Sequence, residues 1–219
     1  MSLKNSYVTS DYLEWDSMLS LVRKLYRDQE YRLSLLIGCG SFFGLRISDL
    51  LTLTWSMLLD NEKFVITEQK TGKRREIRVN CNFQKHIADC YKSLGVVDKN
   101  EKCFLSRKRT VYSTQRINVL FKSMKSKYNL KIEHFSTHSM RKTFGRQVVE
   151  AAGENSEFAL IKLSELFNHA DIQTTRRYLG RARKINCVMR LFLPSSSVGD
   201  RPAPRGCTST PDERKVTTI

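Results

Sequence analysis

The first 193 residues of this 219-residue chain contain no proline; all 4 prolines lie at or beyond Pro194. Proline inside a helix removes a backbone donor and clashes with the preceding turn, so a long proline-free body permits a mostly helical domain. From Pro194 onward the chain turns to Ser195-Ser196-Ser197, Pro202-Ala203-Pro204 and a polar run to Ile219, a composition too poor in large apolar groups to build a core. We therefore expect two regions, a folded domain over 1–193 and a flexible polar tail over 194–219.

The apolar spacing agrees with helices in several places. Ser10-Asp11 followed by Glu14 has the form of an N-cap and capping box, after which Leu13, Met18, Leu19, Val22 and Leu25 recur at helical spacing. Further helices are expected over 28–43, 82–94, 113–128, 137–152 with Thr137 as its cap and Gly153 as its stop, and 156–167. Only 63–79 breaks the period: Phe64-Val65-Ile66-Thr67, a turn at Gln69-Lys70-Thr71-Gly72-Lys73, and Glu76-Ile77-Arg78-Val79 read as two strands of a basic hairpin. The expected fold class is mainly α with a small antiparallel β-hairpin.

Charge narrows the partners. Lys and Arg total 38 against 22 Asp and Glu, a net charge of +16 that points to a polyanion. The tail carries four basic and three acidic residues, so +15 remains on 1–193 and the basic character belongs to the folded body. No apolar run approaches the roughly 20 residues needed to span a bilayer, and the N-terminus is polar from Ser2 onward, so the expected compartment is the cytoplasm, without a membrane partner. The six cysteines, at 39, 81, 90, 103, 187 and 207, include no C-x-x-C pair and are expected to be free, mostly buried thiols.

Four separated segments carry the chemistry. They are Gly44-Leu45-Arg46-Ile47-Ser48-Asp49-Leu50; the Lys70 turn with Lys73, Arg74 and Arg75; Thr137-His138-Ser139-Met140-Arg141-Lys142-Thr143; and His169-Ala170-Asp171-Ile172-Gln173-Thr174-Thr175-Arg176-Arg177-Tyr178. His138 and Arg141 stand at i and i+3 on one helical face, a spacing that lets both grip one anion. Singly, each segment is equally what a solvated surface or a satisfied core histidine presents. His134 and His138 stand at i and i+4, but Phe135 follows His134 in place of the glutamate of H-E-x-x-H, so no metal site is expected.

Taken in chain order, these segments resemble the catalytic domain of the tyrosine recombinases, also called the phage integrase family, over roughly 9–190. The resemblance implies that Arg46, Lys70, His138, Arg141, His169 and Tyr178 are the catalytic set. Tyr178 would attack a DNA phosphodiester, Arg46 and Arg141 would clamp it, His169 would donate a hydrogen bond, His138 would take the tyrosine proton and Lys70 would act as general acid. No cofactor is expected, and no P-loop is present. The implied partners are double-stranded DNA, further copies of the chain as a tetramer on DNA, and accessory DNA-bending proteins, in a nucleoid-associated setting.

Two departures carry expectations. Asp49 stands where the family has a glutamate and is expected to support Arg46 through a shorter carboxylate. The family's N-terminal clamp domain is expected to be missing, since about eight residues precede the first expected helix. The segment 180–193 is expected to form a helix packed in cis or donated to a neighbouring copy. Alternative functions are a noncatalytic DNA-binding regulator with the same fold and DNA relaxation of the type IB topoisomerase kind.

Overall fold

The computed structural model describes residues 9–60 and 62–180; the tail over 194–219, the expected helix beyond Gly180, Cys187 and Cys207 lie outside the described residues. The order of elements is α1 (Trp15–Arg27), α2 (Tyr31–Phe43), α3 (Ile47–Leu50), α4 (Trp55–Leu59), β1 (Lys63–Thr67), β2 (Arg74–Arg78), α5 (Cys81–Leu94), α6 (Thr114–Lys127), α7 (Thr137–Ala151), a 3-10 turn (Gly153–Asn155), α8 (Ser156–Phe167) and α9 (Ile172–Tyr178). The mainly helical class with one antiparallel hairpin is as expected.

Helix α2 organises the main core. Its sequence, YRLSLLIGCGSFF, is apolar nearly all round, as a helix surrounded by other elements must be. It packs against α1, α5 and α7, and Leu35, Leu36, Ile37 and Cys39 are fully buried. The hairpin pairs Phe64 with Ile77 and Ile66 with Arg75, and Phe64, Ile66 and Ile77 face the core by the two-residue period of a strand. A second cluster, Val149, Leu160, Leu163, Phe167 and Leu179, joins α7, α8 and the end of α9.

Several boundaries differ from expectation. Helix α1 starts at Trp15, and Ser10 and Asp11 do not cap it. The Ser10 hydroxyl bonds that of Ser136 at 2.6 Å and the Asp11 carboxylate accepts from His134 N at 2.9 Å; these long-range bonds outcompete the local cap. Asp28 ends α1, so α2 begins at Tyr31 and not near residue 28. The α7 cap is Ser136, in a capping box with Ser139, rather than Thr137. The thiols of Cys39, Cys90 and Cys103 are free and buried, while Cys81 is exposed.

Gly44 is required twice. It ends α2 in the left-handed region at φ 59°, and a Cβ there would lie only 2.3 Å from Phe144 Cδ1. Gly44→Ala is expected to lower unfolding free energy by about 2–4 kcal/mol, combining left-handed strain with overpacking. Urea denaturation checks this; an unchanged midpoint would refute the close approach.

Candidate functional site

The sharp turn at Gly44 sends the chain back over the end of α2, leaving Arg46 as the N-cap residue of α3 with its side chain turned inward. Its guanidinium donates from Nη1 to Glu68 Oε2 at 2.5 Å and from Nη2 to the Phe167 carbonyl at 3.0 Å. Arg141, in the second turn of α7, donates to the Gly44 carbonyl at 2.6 Å and lies 4.0 Å above the Phe167 ring. Arg75, from β2, donates to the Phe43 carbonyl at 2.5 Å.

All three guanidiniums thus cap helix C-termini. The last carbonyls of a helix lack intrahelical partners and carry the negative end of its dipole. The ends of α2 and α8 therefore hold three cations close together around one buried carboxylate, Glu68, which is 3% exposed. Burial pulls the Arg141 guanidinium down to about 10, with further lowering from Arg46 and Arg75. For Glu68, burial alone would raise the carboxyl, but hydrogen bonds from Thr71 and Arg46 and the Arg46 charge hold it below the usual glutamate value. More cationic than anionic groups converge here, which is the electrostatics of an anion site.

Asp49 does not take the part expected of it. Its Oδ1 accepts from Gln69 N at 2.9 Å, so this carboxylate ties down the hairpin turn, while Glu68 supports Arg46. Glu68 Oε2 also accepts from Thr71 Oγ1 at 2.9 Å. The turn that carries exposed Lys70 is therefore pinned on both sides of the lysine, and through Glu68 it is fixed relative to Arg46.

Helix α9 delivers the remaining groups. Asp171 caps it by accepting from Thr174 N at 2.6 Å, and its seven residues end on Tyr178. His169 pairs through Nδ1 with the hydroxyl of fully buried Thr175 at 2.9 Å, which leaves Nε2 for the cleft. The His169 and Tyr178 rings meet edge to face at 5.3 Å. The Tyr178 hydroxyl is buried and has no hydrogen-bond partner among the described residues; burial pushes it up to about 12 against the opposing pull of Arg141 and Arg46.

Arg46, Lys70, His138, Arg141, His169 and Tyr178, the six residues expected from sequence, line one cleft of about 430 Å³. Glu68 lies outside the four segments named from sequence, while Arg75 and Thr175 lie within them without a part in the expected catalytic set. Glu68 was legible, because it continues the inward series Phe64, Ile66 past the end of β1, where a carboxylate facing the core demands a cation. Thr175 carried no such signal. Among the described residues, no group of three or more His, Cys, Asp or Glu side chains converges as a metal site, and no helix is long and apolar enough to cross a membrane.

Both cleft histidines are held below 6.5. Burial acts first, followed by the cations Lys142 and Arg141 at His138 and Arg141 and Arg46 at His169. Burial does the same to His86 in the main core. Because the unfolded chain binds these protons more readily, stability is full above 6.5 and is lost as pH falls through 6.5 toward the depressed folded values. Urea midpoints are expected to be flat from about pH 8 to 7 and to fall by about pH 5.5, before carboxylates titrate. A midpoint that stays level across this window would contradict the downward shift of these histidines.

The phage integrase family profile matches residues 12–184, and the chain belongs to that family. It is 29% identical over 137 residues to the probable integrase/recombinase YoeC of Bacillus subtilis (strain 168), covering 63% of this chain and 71% of that protein. The fold is that of XerA recombinase, with a TM-score of 0.62 at 20% identity over 84% of this chain and 67% of that one. XerH recombinase bound to a palindromic difH substrate matches with a TM-score of 0.60 at 18% identity, over 84% of this chain and 54% of that one. A lambda integrase dimer bound to a core site matches with a TM-score of 0.58 at 17% identity, over 81% and 50%. The chain thus spans about half to two thirds of the length of these solved structures.

Proposed function

We propose that this chain is a site-specific DNA recombinase that integrates, excises or inverts DNA segments by cleaving and rejoining strands through a 3′-phosphotyrosine at Tyr178. The observation that carries the reading is the convergence of six groups on one cleft, with an unpartnered phenol beside two guanidiniums. Tyr178 Oη attacks phosphorus, the bond to the 5′ oxygen breaks, and that oxygen takes a proton from Lys70. The phenol proton passes to neutral His138. Arg46 and Arg141 neutralise the nonbridging oxygens, and His169 donates a further hydrogen bond once protonated or through its Nε2 tautomer. This division of labour requires no metal. The phosphotyrosine ester conserves the bond energy, so a 5′ hydroxyl reverses the step and ligates without a nucleotide.

Double-stranded DNA is the proposed partner, with four copies of the chain assembling on it and DNA-bending proteins assisting. The +16 charge and the DNA complexes of the related XerH and lambda integrase support DNA. Exposed Arg107, Lys108 and Lys122 form no ion pair among the described residues and can meet phosphates. Arg109 is engaged with Glu101 and Lys127 with Asp28, so these two are weaker candidates. The test is incubation with nicked duplexes carrying candidate sites and a search for a covalent complex on denaturing gels. Binding to a verified site with no covalent product would overturn the reading.

A further inference from the structure

Residues 10–13 lie across α7 as an extended strap. Asp11 N donates to the His134 carbonyl at 3.0 Å. Leu13 N donates to Thr143 Oγ1 at 3.0 Å, and that hydroxyl donates back to the Leu13 carbonyl at 2.9 Å. These bonds fix the strap to one side of α7.

Two long cations of α7 reach past the strap. Lys142 Nζ donates to the Ser10 carbonyl at 2.6 Å and stands 5.1 Å from the centre of the Tyr178 ring. One turn further, the Arg146 guanidinium lies 3.8 Å over the Tyr12 ring and donates to the Leu179 carbonyl at 3.3 Å. His138, Lys142 and Arg146 form one i, i+4 stripe, so a single helix face runs from the cleft wall to both ends of this linkage.

We infer that the strap 10–13 positions the Tyr178 nucleophile, with Lys142 and Arg146 as the two links that transmit its seating to the end of α9. This rests on Tyr178 being the nucleophile of the proposed reaction. Packing alone does not account for Lys142, which is 7% exposed. A methionine of similar length fills the same space without removing an ammonium from water. What the ammonium adds is a directional tie between the Ser10 carbonyl and the phenol face. Arg146 adds the second tie, one turn along, so α9 is held at two points.

The test uses Lys142→Met, Tyr12→Leu, Arg146→Met and the pair Tyr12→Leu/Arg146→Met in the full chain. Lys142→Met is expected to keep or raise the urea midpoint and to bind duplex DNA within twofold of the parent. Its single-turnover covalent cleavage is expected to fall on the order of tenfold, the scale of a lost cation–aromatic contact. Amide exchange in a peptide spanning 172–180 is expected to quicken in each variant while that of α2 does not. Tyr12→Leu, at a residue that does not line the cleft, is expected to slow cleavage too, and the double variant to be no slower than the worse single one.

Unchanged cleavage and unchanged α9 exchange in Lys142→Met and Tyr12→Leu would overturn the inference, as would losses that add fully in the double variant. If the parent makes no covalent complex but α9 exchange still responds to Tyr12→Leu, the linkage stands and the recombinase reading fails.

Discussion

Tyr178→Phe is expected to form no covalent complex on a nicked duplex that traps the parent chain, a loss on the order of 10⁴-fold or more in cleavage, since it removes the nucleophilic oxygen itself. The substitution suits the question because the hydroxyl is buried without a partner. Removing it breaks no hydrogen bond among the described residues and relieves a polar group unsatisfied there, so stability is expected to hold or rise. The ring keeps its edge-to-face contacts with His169 at 5.3 Å and Phe167 at 5.7 Å. Duplex affinity, measured by fluorescence anisotropy, is expected to stay within twofold. A covalent product that survives in Tyr178→Phe would move the nucleophile elsewhere and remove the basis of the proposed chemistry.

Arg141→Lys is expected to reduce cleavage by about 10²- to 10³-fold, the scale for loss of one preorganised donor at a developing charge. The charge is retained, so the loss tests geometry. A guanidinium is planar and presents five donors; one bonds the Gly44 carbonyl at 2.6 Å while the plane lies 4.0 Å above Phe167, leaving other donors for the cleft. An ammonium on a flexible stem cannot make the carbonyl bond, stack and present a fork to a phosphate together. Single-turnover cleavage at saturating DNA gives the measurement, with anisotropy beside it to confirm that binding is retained. Cleavage within threefold of the parent would mean that Arg141 acts as a point charge only.

The part of the site legible in sequence was the part made of order and spacing. The helix over 156–167 and the hairpin within 63–79 followed from apolar period and a glycine turn, and the six cleft residues followed from the resemblance. Helix α9 did not, because Ile172 is its one strongly apolar residue and no stripe marks it. It forms through the Asp171 cap and the burial of Thr175 and Leu179, which are tertiary events. Helix α1 starts later than its local cap signal for a related reason: Ser10 and Asp11 satisfy a distant segment rather than their own helix. For Asp49 and Glu68 the strand period turns Glu68 inward, but which of the two carboxylates meets Arg46 depends on how the hairpin docks beside α3, and no local pattern encodes that docking.

The three guanidiniums held by the carbonyls of Phe43, Gly44 and Phe167 have an evolutionary consequence. Every residue type supplies a carbonyl, so substitution at residues 43 or 167 cannot delete the acceptor, only shift it. The spacing of the cations is inherited with the backbone path. A lineage built this way can vary the side chains at 43 and 167 and still keep the three cations in register.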